Sequence, residues 1–116
     1  MEFEVVFYET DKGESPVEDF LNTLAVKSKA KVVGLLKLLE EKGNLLRMPY
    51  SKYLRDEIFE LRCIQGADTV RVLYFFGKEG SIILTNAFAK KSMKTPKREI
   101  ELAIKRRADY FRRCGN

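Results

Sequence analysis

The sequence predicts a single α+β domain spanning residues 1–116, with elements in the order β-α-α-β-β-β-α. Three observations carry this prediction. Ile58 to Lys91 holds three alternating apolar runs parted by two glycine-bearing gaps, the pattern of an antiparallel meander. Apolar stripes at helical spacing precede it and follow it. Helix-start signals stand at Ser15-Pro16 and Thr95-Pro96. The expected architecture is a mostly antiparallel four-stranded sheet, packed on an N-terminal helical hairpin and accompanied by a C-terminal helix.

Phe3, Val5 and Phe7 alternate with Glu2 and Glu4, so a strand opens the chain. Asp11-Lys12-Gly13 is a turn. Ser15 as N-cap, Pro16 at N1 and Glu18 at N3 start a helix that should run to about Ala25, with Val17, Phe20, Leu21 and Leu24 on one side. Ser28 is positioned to cap a second helix through about Lys42, where Val32, Leu35, Leu36 and Leu39 form the apolar stripe and Gly43 supplies the C-terminal stop. Asn44 to Asp56 is expected to be a loop, since a residue before proline avoids the helical region and Met48-Pro49 lies in its middle. Its Arg47, Lys52 and Arg55, interleaved with Tyr50 and Tyr53, suit either an ordinary surface loop or the rim of a nucleic-acid site.

The meander's register follows from its gaps, Gln65-Gly66-Ala67-Asp68 and Gly77-Lys78-Glu79-Gly80. Ile64 opposite Thr69 places Arg62 opposite Arg71, and Phe76 opposite Ser81 places Arg71 opposite Asn86. One face then carries Phe59, Leu61, Cys63, Val70, Val72, Tyr74, Phe76, Ile83, Thr85 and Ala87, and should pack on the helices. The other carries Ile58, Phe75, Ile82 and Leu84 at one end and the row Arg62, Arg71, Asn86 at the other, with Lys90 just beyond. Two arginines facing each other in a sheet repel. Either Glu60 on the same face balances them, or solvent does, or they form an anion site, for which the guanidinium fork is well shaped. After the meander, Thr95 and Pro96 should cap and open a last helix with Ile100, Ala103, Ile104, Ala108 and Phe111 inward.

Composition narrows the function. Apolar content of 45% and charged content of 34% are those of a globular domain, and no apolar run approaches a membrane span. No opening stretch reads as a signal peptide, so a cytoplasmic location is expected. Cys63 and Cys114 are too few and too far apart for a disulfide framework or a zinc site. Histidine is absent, which removes Ser-His-Asp and Cys-His catalysis, and no phosphate-binding glycine loop is present. Net charge is +5, and it is uneven. Residues 88–116 hold ten Lys/Arg against three acids, whereas residues 1–87 hold twelve against fourteen. A basic last quarter points to a polyanion or an acidic protein partner.

The residues also resemble those of type II toxins of the RelE/ParE superfamily, in particular its phage-derived HigB-like branch. The resemblance rests on Ser15-Pro16 with Asp19-Phe20-Leu21, Phe59-Glu60-Leu61-Arg62, Val70-Arg71-Val72-Leu73-Tyr74, Asn86-Ala87-Phe88-Ala89-Lys90-Lys91-Ser92-Met93-Lys94-Thr95-Pro96, and the helix through Asp109-Tyr110. Its most specific part is F-x-K-K-x-x-K-T-P. It implies a RelE-like fold and a cognate antitoxin, usually one with a helix-turn-helix domain. It implies metal-independent mRNA cleavage in the ribosomal A site, with no cofactor and no membrane involved. Members resembling ParE instead inhibit DNA gyrase and cut nothing; a basic binding module without toxicity is the third possibility.

Cleavage of this kind is attack of a 2′-OH on the adjacent phosphate with departure of a 5′-OH. Arg62 and Arg71 are the expected stabilisers of the pentacoordinate phosphate. Lys90 and Lys91 are candidates for phosphate binding or proton transfer, and Tyr110 for a catalytic phenol. Arg55, Asn86 and Lys94 are expected RNA contacts. Tyr74 has the parity of the apolar face and is expected in the core. A site so poor in acid–base groups should depend on the ribosome to complete the reaction.

Overall fold

A computed structural model of the chain describes residues 2–91 and 94–115. Ser92 and Met93, which belong to the basic stretch of the resemblance, lie outside the described residues. Five strands form one mixed sheet: β1 (Glu4–Phe7), β2 (Ser51–Arg55), β3 (Ile58–Gln65), β4 (Asp68–Phe76) and β5 (Ser81–Lys90), in the spatial order β1-β5-β4-β3-β2. β1 runs parallel to β5, and every other pairing is antiparallel. Helices α1 (Pro16–Leu21) and α2 (Val26–Lys42) cover one face of the sheet, and α3 (Lys97–Cys114) covers the other.

Two apolar layers result. Val17 and Leu21 of α1 and Val32, Leu36 and Leu39 of α2 bury against Leu61, Cys63, Val70, Val72, Tyr74, Ile82 and Leu84. Ala103 of α3, with Ile104, Tyr110 and Phe111, packs on Ile58, Leu73, Phe75 and Ile83. Alternation along β3 and β4 sends successive residues to opposite layers, so each strand feeds both cores. Tyr74 lies in the first layer as its parity requires, its hydroxyl 2.5 Å from Ser51 Oγ. Gly43 ends α2 at a φ of 54°, and Phe3 lies directly over it.

The fold departs from expectation in several places. The sheet has five strands, because part of the expected loop is β2. Asp56 and Glu57 turn the chain at φ values of 50° and 68°, a left-handed turn normally announced by glycine or asparagine. Lys52 and Arg55 then keep the sheet's outer edge charged. The first hairpin of the meander has the expected register, with Ile64 facing Thr69 and Arg62 facing Arg71. The second does not. Phe76 pairs with Ile82 instead of Ser81, and a bulge opposite the Leu73–Tyr74 step moves Arg71 onto Phe88 and Asn86 onto Leu73. A one-residue slip exchanges faces. Ile82 and Leu84 therefore enter the α1/α2 core and Ile83 the α3 core, while Ala87, beyond the bulge, returns to its expected side.

Helix ends shift as well. α1 stops at Leu21, and two tight turns through Thr23 and Leu24 replace its last part. Ser15 and Pro16 occupy the expected positions, but the Ser15 hydroxyl makes no capping bond. α2 starts at Val26, which leaves Ser28 inside it. α3 starts at Lys97, with Pro96 at the cap position; Thr95 does not cap it, because its hydroxyl is engaged elsewhere.

Candidate functional site

The site begins with one carboxylate. Glu60 is on β3 and has the parity of the α3 face, yet only 1% of it is exposed. A buried charge is tolerated when it is paired and hydrogen-bonded. Arg71 Nη1 donates to both its oxygens, at 3.3 and 3.2 Å. Arg62 Nε lies 3.2 Å from Oε1. The Thr95 hydroxyl, from the turn before α3, donates to Oε2. Three side chains from three segments of chain therefore meet on a single acid.

The two arginines are not equivalent. Arg71 is on the central strand and is 1% exposed, so its charge is directed inward to Glu60. Arg62 is on β3 next to the sheet's edge, with its backbone N–H donating to Tyr50 O at 2.8 Å, and 12% of its side chain reaches the surface. One carboxylate against two guanidiniums leaves a surplus of one positive charge, and Arg62 is where it meets solvent. Arg62 also borders an open, largely apolar groove of about 360 Å³ with Leu35, Leu38, Pro49, Tyr50 and Ile64.

Lys90 ends β5 exposed, Lys91 follows it exposed, and Lys94 is exposed before Thr95. Lys90 pairs with Thr69, two residues along β4 from Arg71, and follows Phe88 on the α3 face. The lysines and the Arg62–Glu60–Arg71 cluster thus share one end of the sheet. Asn86 is built into the scaffold beside them. It is 4% exposed, its amide donates to Glu99 O at 3.2 Å and Glu99 Oε1 at 2.9 Å, and it accepts from the Thr85 hydroxyl at 2.6 Å. It ties β5 to the first turn of α3.

Tyr110 and Arg55 lie elsewhere. The Tyr110 ring meets Phe75 edge to face at 5.4 Å, and its hydroxyl accepts from the Lys78 N–H at 3.2 Å. Phe75 is four residues from Arg71, roughly 13 Å along an extended strand, so Tyr110 belongs to the opposite end of the sheet. Arg55 pairs with Asp56 at 2.6 Å in the β2–β3 turn, at that same far end. The far end of α3 has its own cluster. Tyr8 donates to Asp109 at 2.7 Å, and the guanidiniums of Arg106 and Arg113 stack on the Tyr8 ring at 5.4 and 5.3 Å. Hydrogen bonds from Arg113 and Tyr8 hold the Asp109 carboxyl below the usual carboxylate range, while burial and Asp109 push the Tyr8 phenol up. These contacts fasten α3 to the β1 end, far from the lysines.

Sequence reasoning expected the arginine pair and named Glu60 as its possible balance. It missed Thr95 as a member of the cluster, because Thr-Pro ahead of an apolar stripe is also an ordinary capping signal. No group of three or more metal-ligating side chains occurs among the described residues. No helix among them is long and apolar enough to cross a membrane.

A family model described as phage-derived protein Gp49-like (DUF891) matches residues 19–108. That span runs from α1 into α3, and it includes every member of the Glu60 cluster. No curated protein matches the chain.

Proposed function

The chain belongs to the phage-derived Gp49-like family, within the RelE/ParE-like toxin superfamily, and we propose that it is a HigB-like toxin that cleaves mRNA on the ribosome. The family is associated with the toxins of toxin–antitoxin systems, which suggests an antitoxin as partner. The observation that carries the cleavage reading is the placement of Arg62. A buried acid fixes its guanidinium, part of it reaches the surface, and Lys90, Lys91 and Lys94 crowd the same end of the sheet.

Arg62 stabilises the charge that builds on the phosphate as the 2′-OH attacks. A cation held in place before the reaction needs no reorganisation when that charge develops. Lys90, Lys91 and Lys94 hold the flanking phosphates. Arg71 cannot touch RNA at 1% exposure, and it acts through Glu60 to orient Arg62. Asn86 supports the α3 end of the site through Glu99. The chain has no histidine, so ribosome-bound groups complete the proton transfers or one of the lysines does.

Primer extension on a defined mRNA in a translating extract tests this. The wild type should cut at codon boundaries, and Arg62→Ala should cut at least about 100-fold more slowly, the order of loss for one pre-placed charge-stabilising donor. Absence of cuts from the wild type, with translation intact, would overturn the nuclease reading and favour gyrase inhibition. Equal cutting by both would remove Arg62 from the mechanism.

A further inference from the structure

We infer that Thr95 is a positioning residue, whose hydroxyl links the basic residues leaving β5 to the arginine that faces substrate; the inference rests on the cleavage reading above. Thr95 is 9% exposed and donates to Glu60 Oε2, the oxygen that also receives Arg71 Nη1 at 3.2 Å. The opposite oxygen holds Arg62 Nε. One rigid carboxylate plane therefore sets the guanidinium of Arg62 and the hydroxyl of Thr95 together. Lys94 is covalently next to Thr95, so its backbone stands a single peptide away from the anchored group.

The chemistry requires such a link. Arg62 and Lys90 stand on β3 and β5, whose mutual position the ladders on either side of β4 fix. Lys94 stands outside any strand or helix, one residue before Thr95. The Thr95–Glu60 bond ties the chain beside Lys94 to the same acid that pairs with Arg62. Loss of the hydroxyl alone leaves Glu60 paired with both arginines, but removes one of the contacts that set its plane and releases the turn before α3. A small misplacement of this kind lowers turnover at a site that depends on orientation.

The experiment compares Thr95→Val, which keeps the shape and removes the donor, with Thr95→Ser, which keeps the donor. Single-turnover cleavage of ribosome-bound mRNA should fall about ten- to a hundredfold at saturating toxin in Thr95→Val, with the half-saturating toxin concentration changed by less than about threefold. Thr95→Ser should recover to within about threefold of the wild type. A second readout needs no cleavage: the arginine Nε–H resonances of Arg62 and Arg71 in ¹⁵N-labelled protein should shift in Thr95→Val and stay in place in Thr95→Ser, while the amide spectrum shows both variants folded. Unchanged arginine resonances in Thr95→Val overturn the inference, whether or not the wild type cuts. Equal loss of cutting in both variants overturns it too, since the hydroxyl would then not be the group that matters. A wild type that cuts nothing overturns the nuclease reading alone, and the resonances still decide the role of Thr95.

Discussion

Arg71→Met tests whether the inward-facing arginine holds a buried carboxylate in place. Arg71 fills the centre of the sheet at 1% exposure, against a Glu60 equally buried. Removal of one partner of a buried ion pair costs about 3–5 kcal/mol, because the remaining charge stays desolvated. Here Arg62 Nε remains 3.2 Å from the same carboxylate and holds part of that charge, so the lower end applies, about 3 kcal/mol. For a domain of this size each kcal/mol moves the midpoint by about 4 °C, so Arg71→Met should melt about 12 °C below the wild type. The double variant Glu60→Gln/Arg71→Met removes the stranded charge and keeps an acceptor for Thr95 and Arg62. It should recover at least half of the loss, as neighbours in one network are not additive. Calorimetry of the two variants decides the matter. A single variant melting within about 3 °C of the wild type, or a double variant melting below the single, would refute the claim that Glu60 is charged, buried and held by Arg71.

Three further outcomes follow from the geometry. Tyr110→Phe should leave ribosome-dependent cleavage within about twofold of the wild type, because its hydroxyl serves the β4–β5 turn at the far end of the sheet; a hundredfold loss in primer extension would return it to the site. Gly43→Ala should destabilise by about 2–4 kcal/mol in urea unfolding. The new Cβ would stand 2.1 Å from the Phe3 ring, and the residue would keep a φ of 54°. Burial raises the Tyr74 phenol, and that of Tyr8 is also raised. For a raised folded-state value, the stabilisation is whole below the unfolded value near 10 and is lost as pH rises through the folded one. Denaturant midpoints should therefore fall above about pH 10, less steeply in Tyr74→Phe than in the wild type, and parallel curves would contradict the assignment.

The sequence revealed the elements whose signals are local. The helical stripes, the Gly43 stop and the Gly66 turn are each set within a few residues, and the first hairpin's register followed from that turn. Three features escaped because their causes lie at a distance. β2 turns on Asp56 and Glu57, whose left-handed conformation has no glycine to announce it and is upheld by pairing with β3. The bulge opposite Leu73 and Tyr74 cannot be read from β5 alone, yet it decides that Phe88 and not Asn86 completes the arginine row. The role of Thr95 depends on a carboxylate 35 positions earlier. The Arg62–Arg71 pairing needed only the first turn, and so could be anticipated; the asymmetry between the two arginines needed the edge, the helix above and the buried acid.

The parallel pairing of β1 with β5 bears on how the protein is born. Glu4 meets Ser81, and Arg113 donates to Glu9 O at 2.7 Å, so the first strand has no neighbour until β5 is made. Closure over such a separation is slow relative to helix formation and local hairpins. Glu60 likewise emerges long before Thr95 and the α3 layer that shields it. The local β3–β4 hairpin therefore brings Glu60, Arg62 and Arg71 together first, and the Thr95 contact closes the cluster last.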